Sequence, residues 1–248
     1  MSEREQVLLE HGFVLHQRAY RNTSQLLECV TAVHGRVGLI ARGSRRMTSR
    51  DRGQRALLQP FVPLRLSWLR RGELGRLTHV EPASASYDLA AQRLLAGYYS
   101  NELLLRLTAR GDPNAEVFSC YSRCLAELAG GARVARTLRI FELHLLHALG
   151  YGLELGADAA TGEPLRAELR YVFELEHGPR VTELEDPDAD VYLGSDLISL
   201  REQMLEDESS LRTSQRLLGR VLRVYLGDRP LRSRLVLQDI VSRGLARS

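Results

Sequence analysis

The stretch Gln25-Leu26-Leu27-Glu28-Cys29-Val30-Thr31-Ala32-Val33, His34-Gly35, Arg36-Val37-Gly38-Leu39-Ile40-Ala41, Arg42-Gly43 decides the fold. Two apolar runs, each closed by a pair containing glycine, read as short antiparallel strands joined by a tight turn. Working outward, Gly12-Phe13-Val14-Leu15-His16 opens an earlier strand. Pro60 to Leu69 forms a later one, with Phe61, Val62, Leu64, Leu66 and Trp68 largely alternating. Leu74 to Val80 follows Arg71-Gly72-Glu73 as the last. Five short strands in about 80 residues predict a small closed barrel with the strand count of an OB-fold.

From Tyr87 the apolar period changes to a helical one. Ala91, Leu94, Leu95, Tyr98 and Tyr99 share one helix face. Val117, Tyr121, Cys124, Leu125 and Leu128 form a second stripe, and Val134, Leu138, Phe141, Leu145 and Leu149 a third. Residues 151–195 break the period and hold an expected hairpin, Arg170 to Leu175 and Arg180 to Thr182, around His177-Gly178-Pro179. Helices are predicted again over 196–207, 213–226 and 233–243. The expected class is α+β multidomain. A barrel domain spans 1–80, and a mainly helical domain spans 81–248 with an inserted hairpin region at about 151–195.

All 34 basic positions of the 248-residue chain are arginine. Without lysine there is no Walker A motif, no Schiff base and no Ser-Lys dyad, so those chemistries are excluded. Three cysteines are too few for a disulfide framework. Met1 to Phe13 carries acids and no apolar core, so no signal peptide is expected. The longest leucine run, Leu103 to Leu105, is far short of the ~20 residues that span a bilayer. No membrane association and a cytoplasmic, nucleoid-associated location are expected.

Charge is segregated along the chain. Residues 1–80 hold 14 arginines against 6 acids, and residues 209–248 hold 9 against 2. Residues 154–208 reverse this, with 4 arginines against 16 acids. Basic ends around an acidic middle point to a polyanion ligand.

The basic residues form three candidate groups. Arg36, Arg42, Arg45, Arg46, Arg50, Arg52, Arg70 and Arg71 lie on or between barrel strands, many of them in the loop from Arg42 to Arg52, where guanidinium forks suit phosphate oxygens. Tyr20, Phe61 and Trp68 are candidates for base stacking, although Phe61 and Trp68 read more naturally as core. Arg212, Arg216, Arg220 and Arg223 form a stripe on one helix face, joined by Arg232 and Arg234 as a secondary basic face. An equally good reading pairs that stripe with the acidic segment. Cysteines Cys29, Cys120 and Cys124 read as buried apolar residues. His144 and His147 lack the spacing of zinc helices, and the run from Asp186 to Asp190 lacks the glycine and final glutamate of a calcium loop. No metal site and no cofactor are expected.

The residues also resemble a known family. Gly12-Phe13-Val14-Leu15-His16-Gln17-Arg18-Ala19-Tyr20-Arg21-Asn22-Thr23-Ser24-Gln25-Leu26-Leu27 is similar to the opening of bacterial RecO, a DNA repair and recombination mediator family. So are His34-Gly35-Arg36-Val37, Ala41-Arg42-Gly43-Ser44-Arg45-Arg46 and Leu58-Gln59-Pro60-Phe61-Val62-Pro63-Leu64. Arg139 to Gly152 resembles the family's central helix, and Tyr225-Leu226-Gly227-Asp228-Arg229-Pro230-Leu231-Arg232-Ser233-Arg234 its C-terminal signature. The resemblance implies an OB-fold followed by a helical domain, with no catalysis. It further implies binding of single- and double-stranded DNA, strand annealing, contact with the acidic tail of the single-stranded DNA-binding protein SSB, and action with RecR to load RecA. Arg133, Arg136 and Arg139 are the candidates for the SSB tail. Many members carry four cysteines after the Leu-Gly-Tyr stretch, whereas residues 151–195 have none, which resembles a zinc-free branch.

Two other readings stand beside this one. An RNA-binding barrel would use the same arginines. A metal-dependent nuclease would use Glu154, Asp158, Asp186 and Asp188, which lie in an acidic loop with no sign of convergence.

Overall fold

The computed structural model describes residues 5–44, 49–70, 72–183, 190–227 and 229–233, with the side chains of 49–52 excepted. The chain forms two compact units, Met1–Gly131 with Pro230–Ser248, and Ala132–Arg229. The first unit thus runs well past the boundary at residue 80 expected from the change of period.

In the first unit, β1 (Glu5–Tyr20), β2 (Ser24–Thr31), β3 (Gly35–Ala41), β4 (Leu64–Arg70) and β5 (Leu74–Pro82) close a barrel in the order β1-β2-β3-β5-β4. The pairings are antiparallel except β3 with β5, which run parallel from Gly38↔Leu74 to Ile40↔Arg76. This is an OB-like barrel. β1 is much longer than the expected Gly12–His16 because it serves two neighbours, pairing β4 over Glu5–Gly12 and β2 over Gly12–Tyr20. Irregularities between Val7 and Glu10 and between Val14 and His16 break its alternation, and this hid its length. β4 begins at Leu64 rather than Pro60, since Phe61 has φ +68° and Pro63 has no N–H to donate.

The loop expected over Arg42–Arg52 is partly helix: α1 spans Ser49–Leu57. Leu58, directly after it, is fully buried in the barrel core with Val14, Leu27, Leu39, Leu64, Leu66 and Trp68. Gly75 makes room for the indole of Trp68, because a Cβ there would lie 2.9 Å from the ring and 2.7 Å from Leu39.

The outer face of β1 and β2 is also apolar. Phe13, Leu15, Leu26 and Val30 are buried outside the barrel core. They are covered with the help of α2 (Ala91–Leu107) and α3 (Ala115–Ala129). Phe13 meets Phe118 and Tyr121 at ring centroid distances of 5.6 and 5.3 Å. Asn101 donates to the Leu15 carbonyl at 2.9 Å and accepts from the Tyr121 hydroxyl at 2.6 Å. The chain returns to this unit at its end, where the backbone N–H groups of Arg232 and Ser233 donate to Glu102 at 2.8 and 2.9 Å.

The second unit contains α4 (Val134–Ala148), α5 (Gly194–Arg201) and α6 (Glu208–Leu226). It also has a three-stranded antiparallel sheet of β6 (Arg170–Glu174), β7 (Gly178–Val181) and β8 (Val191–Leu193), in the order β7-β6-β8. The expected hairpin is β6–β7, and β8 is an additional strand pairing Tyr192 with Tyr171. α5 stops at Arg201, before Gln203 at φ +60°, so the helix expected over 196–207 is shorter. α6 starts at Glu208 rather than Thr213, because the Asp207 side chain caps it by accepting from Ser210 N at 2.9 Å. The helix expected over 233–243 lies outside the described residues, apart from its first position.

Candidate nucleic-acid interface

Register alone brings one set of arginines to one end of the barrel. Tyr20 pairs with Ser24 across the β1–β2 turn, Gln25 pairs with Ala41, and Arg42 follows directly. The end of β1, the turn at Arg21, and the exit of β3 therefore lie together. A chain of amides ties α1 to the same end. Gln25 Nε2 donates to Gln17 Oε1 at 2.7 Å, Gln17 Nε2 to Gln59 Oε1 at 2.8 Å, and Gln59 Nε2 to the Arg55 carbonyl at 2.9 Å.

Arg18, Arg21, Arg42 and Arg55 are exposed around this end. None has an ion pair among the described residues. Arg21, at φ +53°, lays its guanidinium 5.3 Å from the centroid of the half-buried Tyr20 ring. Uncompensated guanidinium groups beside an exposed turn can accept phosphate oxygens without first breaking an internal contact. Of these four, Arg42 and Arg55 fall in the basic run from Arg36 to Arg76 that the sequence singles out, and Arg18 and Arg21 lie outside it. The available signal was the Tyr20-Arg21-Asn22-Thr23 turn.

Arg36 and Arg70 behave differently. Arg36 donates to the Leu105 carbonyl at 3.1 Å and lies 3.7 Å from Glu28. Arg110 forks onto that same Glu28 carboxylate, with its Nε at 3.1 Å. Burial lowers the Arg36 pKa, Glu28 opposes this, and neighbouring Arg110 lowers it further. The bond to Glu28 raises the pKa of Arg110. Gly35, at φ +63°, admits the segment that carries Arg110, since a Cβ there would lie 1.9 Å from the Asp112 carbonyl oxygen. Arg70 donates to the Gly72 carbonyl at 3.1 Å. These arginines hold local structure in place. Arg45, Arg46, Arg71 and Arg234 lie outside the described residues, as do the side chains of Arg50 and Arg52. Phe61 and Trp68 are buried, so neither presents a ring to solvent.

In the second unit the arginine stripe of α6 divides. Arg212 returns to the Glu208 carbonyl at 3.1 Å. Arg216 bonds the Val191 carbonyl and covers the Tyr192 ring at 4.7 Å. Arg220 pairs with Asp190 at 3.0 Å. Arg223 is exposed, as is Arg232 in the first unit. On α4, Arg133 bonds Glu208 and the Glu206 carbonyl, and Arg136 donates to the Gln203 carbonyl at 3.0 Å. Arg139 lies 2.5 Å from Glu142, whose side chain is 1% exposed. Packing within α4–α6 thus engages all three.

Asp158 is a buried loop clamp. One oxygen accepts from Ala160 N and Thr161 N at 2.8 and 2.9 Å, and the other from Val181 N at 2.7 Å. This ties the loop to β7. Glu154 is exposed, and Asp186 and Asp188 lie outside the described residues. Among the described residues no three His, Cys, Asp or Glu side chains come together as a metal site, and no helix is long and apolar enough to cross a membrane.

The chain matches the family models "Recombination protein O N terminal" over residues 6–86 and "Recombination protein O C terminal" over residues 89–235. Its relatives include the DNA repair protein RecO of Methylococcus capsulatus, 42% identical with 92% of each chain covered. Those of Nitrosococcus oceani (42%, covering 94% of each chain) and Coxiella burnetii (40%, covering 93% of this chain and 98% of the relative) are similarly close.

Proposed function

The chain belongs to the RecO family of DNA repair proteins, which are non-enzymatic recombination mediators, and from that premise we propose that it binds DNA at the basic end of its barrel and anneals complementary strands. The observation that carries this reading is the group Arg18, Arg21, Arg42 and Arg55, exposed at one end with no ion pair among the described residues. Phosphate contacts of this kind are independent of sequence, so they serve single and double strands alike and let two strands slide into register.

The proposed partners are single- and double-stranded DNA, the C-terminal tail of SSB, RecR and, indirectly, RecA. The proposed setting is the cytoplasm, at the nucleoid. The tail site is proposed on α4 at Arg133, Arg136 and Arg139. The engagement of Arg139 with Glu142 makes Arg136 the better residue to test, because its contact is to a carbonyl and not to a buried acid. We propose that the 151–195 region folds without zinc, with Asp158 supplying the cross-link.

The test is annealing of complementary oligonucleotides coated with SSB, in the absence of ATP. Accelerated annealing by the wild type, lost on changing Arg18, Arg21, Arg42 and Arg55 to Ala, supports the reading. Equal annealing by both proteins removes the barrel end from it. Tighter binding to matched RNA than to DNA would redirect it to an RNA ligand.

A further inference from the structure

Two stretches that carry the family resemblance, Leu149-Gly150-Tyr151-Gly152 and Tyr225-Leu226-Gly227-Asp228-Arg229, are far apart in the chain and take no part in the barrel interface. Within the second unit they meet. The rings of Tyr151 and Tyr225 stack with centroids 3.8 Å apart and an interplanar angle of 16°. Gly150, at φ +79°, ends the α4 region, and the Tyr151 N–H closes on the Leu146 carbonyl at 2.8 Å, which fixes Tyr151 just beyond the helix. α6 supplies Tyr225 from its last turn, ahead of Gly227.

This pair is at the surface. Tyr151 is 40% exposed and the adjoining Val224 56%, whereas Tyr121, Tyr171 and Tyr192 are exposed by 1% or less. Tyr225 is half-buried, so the stacked pair stands at the edge of the unit and not in its core. Arg223 and Arg229 flank Tyr225 in the chain, are exposed, and have no ion pair among the described residues. A stacked, partly exposed ring pair with exposed arginines close to it in the chain has the composition of a single-strand binding surface.

We propose that Tyr151 and Tyr225 form a stacking platform for a base of single-stranded DNA, with Arg223 and Arg229 taking the neighbouring phosphates. Every base has a π-face, so the platform is indifferent to sequence. Bases in a duplex are already stacked on one another, so the platform distinguishes single from double strands, which the arginines of the barrel do not. The proposal rests on the DNA-binding reading and adds a second, strand-selective site to it.

The test uses the full chain and fluorescein-labelled oligodeoxythymidylate, with a duplex of equal length as control. Tyr151→Ala should weaken single-strand binding roughly tenfold and leave duplex affinity unchanged, while Tyr151→Phe retains both. In Tyr151→Trp the new indole should be quenched as the oligomer binds. Trp68, 1% exposed inside the barrel, supplies only a constant background. Unchanged single-strand affinity in Tyr151→Ala, equal loss on both strands, or an unquenched Tyr151→Trp overturns the platform. If Tyr151→Ala does not fold, the quenching of Tyr151→Trp decides alone. A wild type that binds neither strand overturns the DNA reading and the platform together, whereas a wild type that binds with unaffected Tyr151 variants overturns the platform only.

Discussion

A methyl group at position 75 would enter the space that the Trp68 indole occupies. Gly75→Ala should therefore destabilise the barrel by about 1–3 kcal/mol, the usual range for overpacking a filled core. Denaturant unfolding followed by the fluorescence of Trp68, the one tryptophan of the chain, measures it. Asp158 makes a residue-scale prediction that depends on pH. Burial raises its pKa, but the N–H groups of Val181, Thr161 and Ala160 and the Thr161 hydroxyl prevail and hold the carboxyl below its ordinary 3.8. A depressed folded pKa means the stabilisation is complete above the ordinary value and disappears as pH falls through the folded one. Asp158→Asn should cost about 1.5–3 kcal/mol at neutral pH. Its deficit against wild type should shrink as the pH drops below 3.8 in thermal melts. A deficit constant from neutral to acid pH would mean that the charge contributes nothing. The sequence offered Asp158 only as one acid in an acidic loop, because its partner Val181 is 23 residues away and donates from the backbone.

At the scale of elements, Arg133 and Arg136 tie the start of α4 to the α5–α6 segment, while Arg139 pairs within α4. Arg139→Ala removes the guanidinium beside the buried Glu142 carboxylate, and breaking such a pair typically costs about 3 kcal/mol or more. Chemical denaturation should therefore show lower stability in Arg139→Ala, and an SSB-tail peptide should be tested on Arg136→Ala instead. Wild-type stability in Arg139→Ala would show the pair to be dispensable. The strands and main helices were legible because their apolar periods are strong and closed by glycine. The length of β1 was not, since its two irregularities shift the alternation, as when Leu8 and Leu9 both face solvent. α1 was hidden in an arginine-rich stretch that also reads as a solvated loop. The arginine stripe of α6 was correctly placed on one face, but its partners Val191 and Asp190 became visible only once β8 was formed.

At the scale of the whole molecule, segregated charge along the chain becomes different uses of arginine in the two units. In the acidic second unit most arginines of α4 and α6 bind its own carbonyls and carboxylates. In the barrel unit Arg36, Arg70 and Arg110 do the same, while Arg18, Arg21, Arg42 and Arg55 stand exposed at one end with no ion pair among the described residues. Composition therefore points to a polyanion ligand, while which arginines stay without an internal partner depends on register and on which carboxylates the fold brings near. The compact units divide the chain at a different place from the change of period. The switch from strand to helix period is real, yet α2 and α3 cover the apolar outer face of the barrel and belong to its unit. The central claim, that this exposed set binds DNA phosphates, is tested most directly by the salt dependence of single-strand affinity. The measurement compares wild type with a variant in which Arg18, Arg21, Arg42 and Arg55 are all changed to Ala. The slope of log K against log salt should become shallower by about 0.7 for each arginine removed, near 3 in all. An unchanged slope would contradict the account.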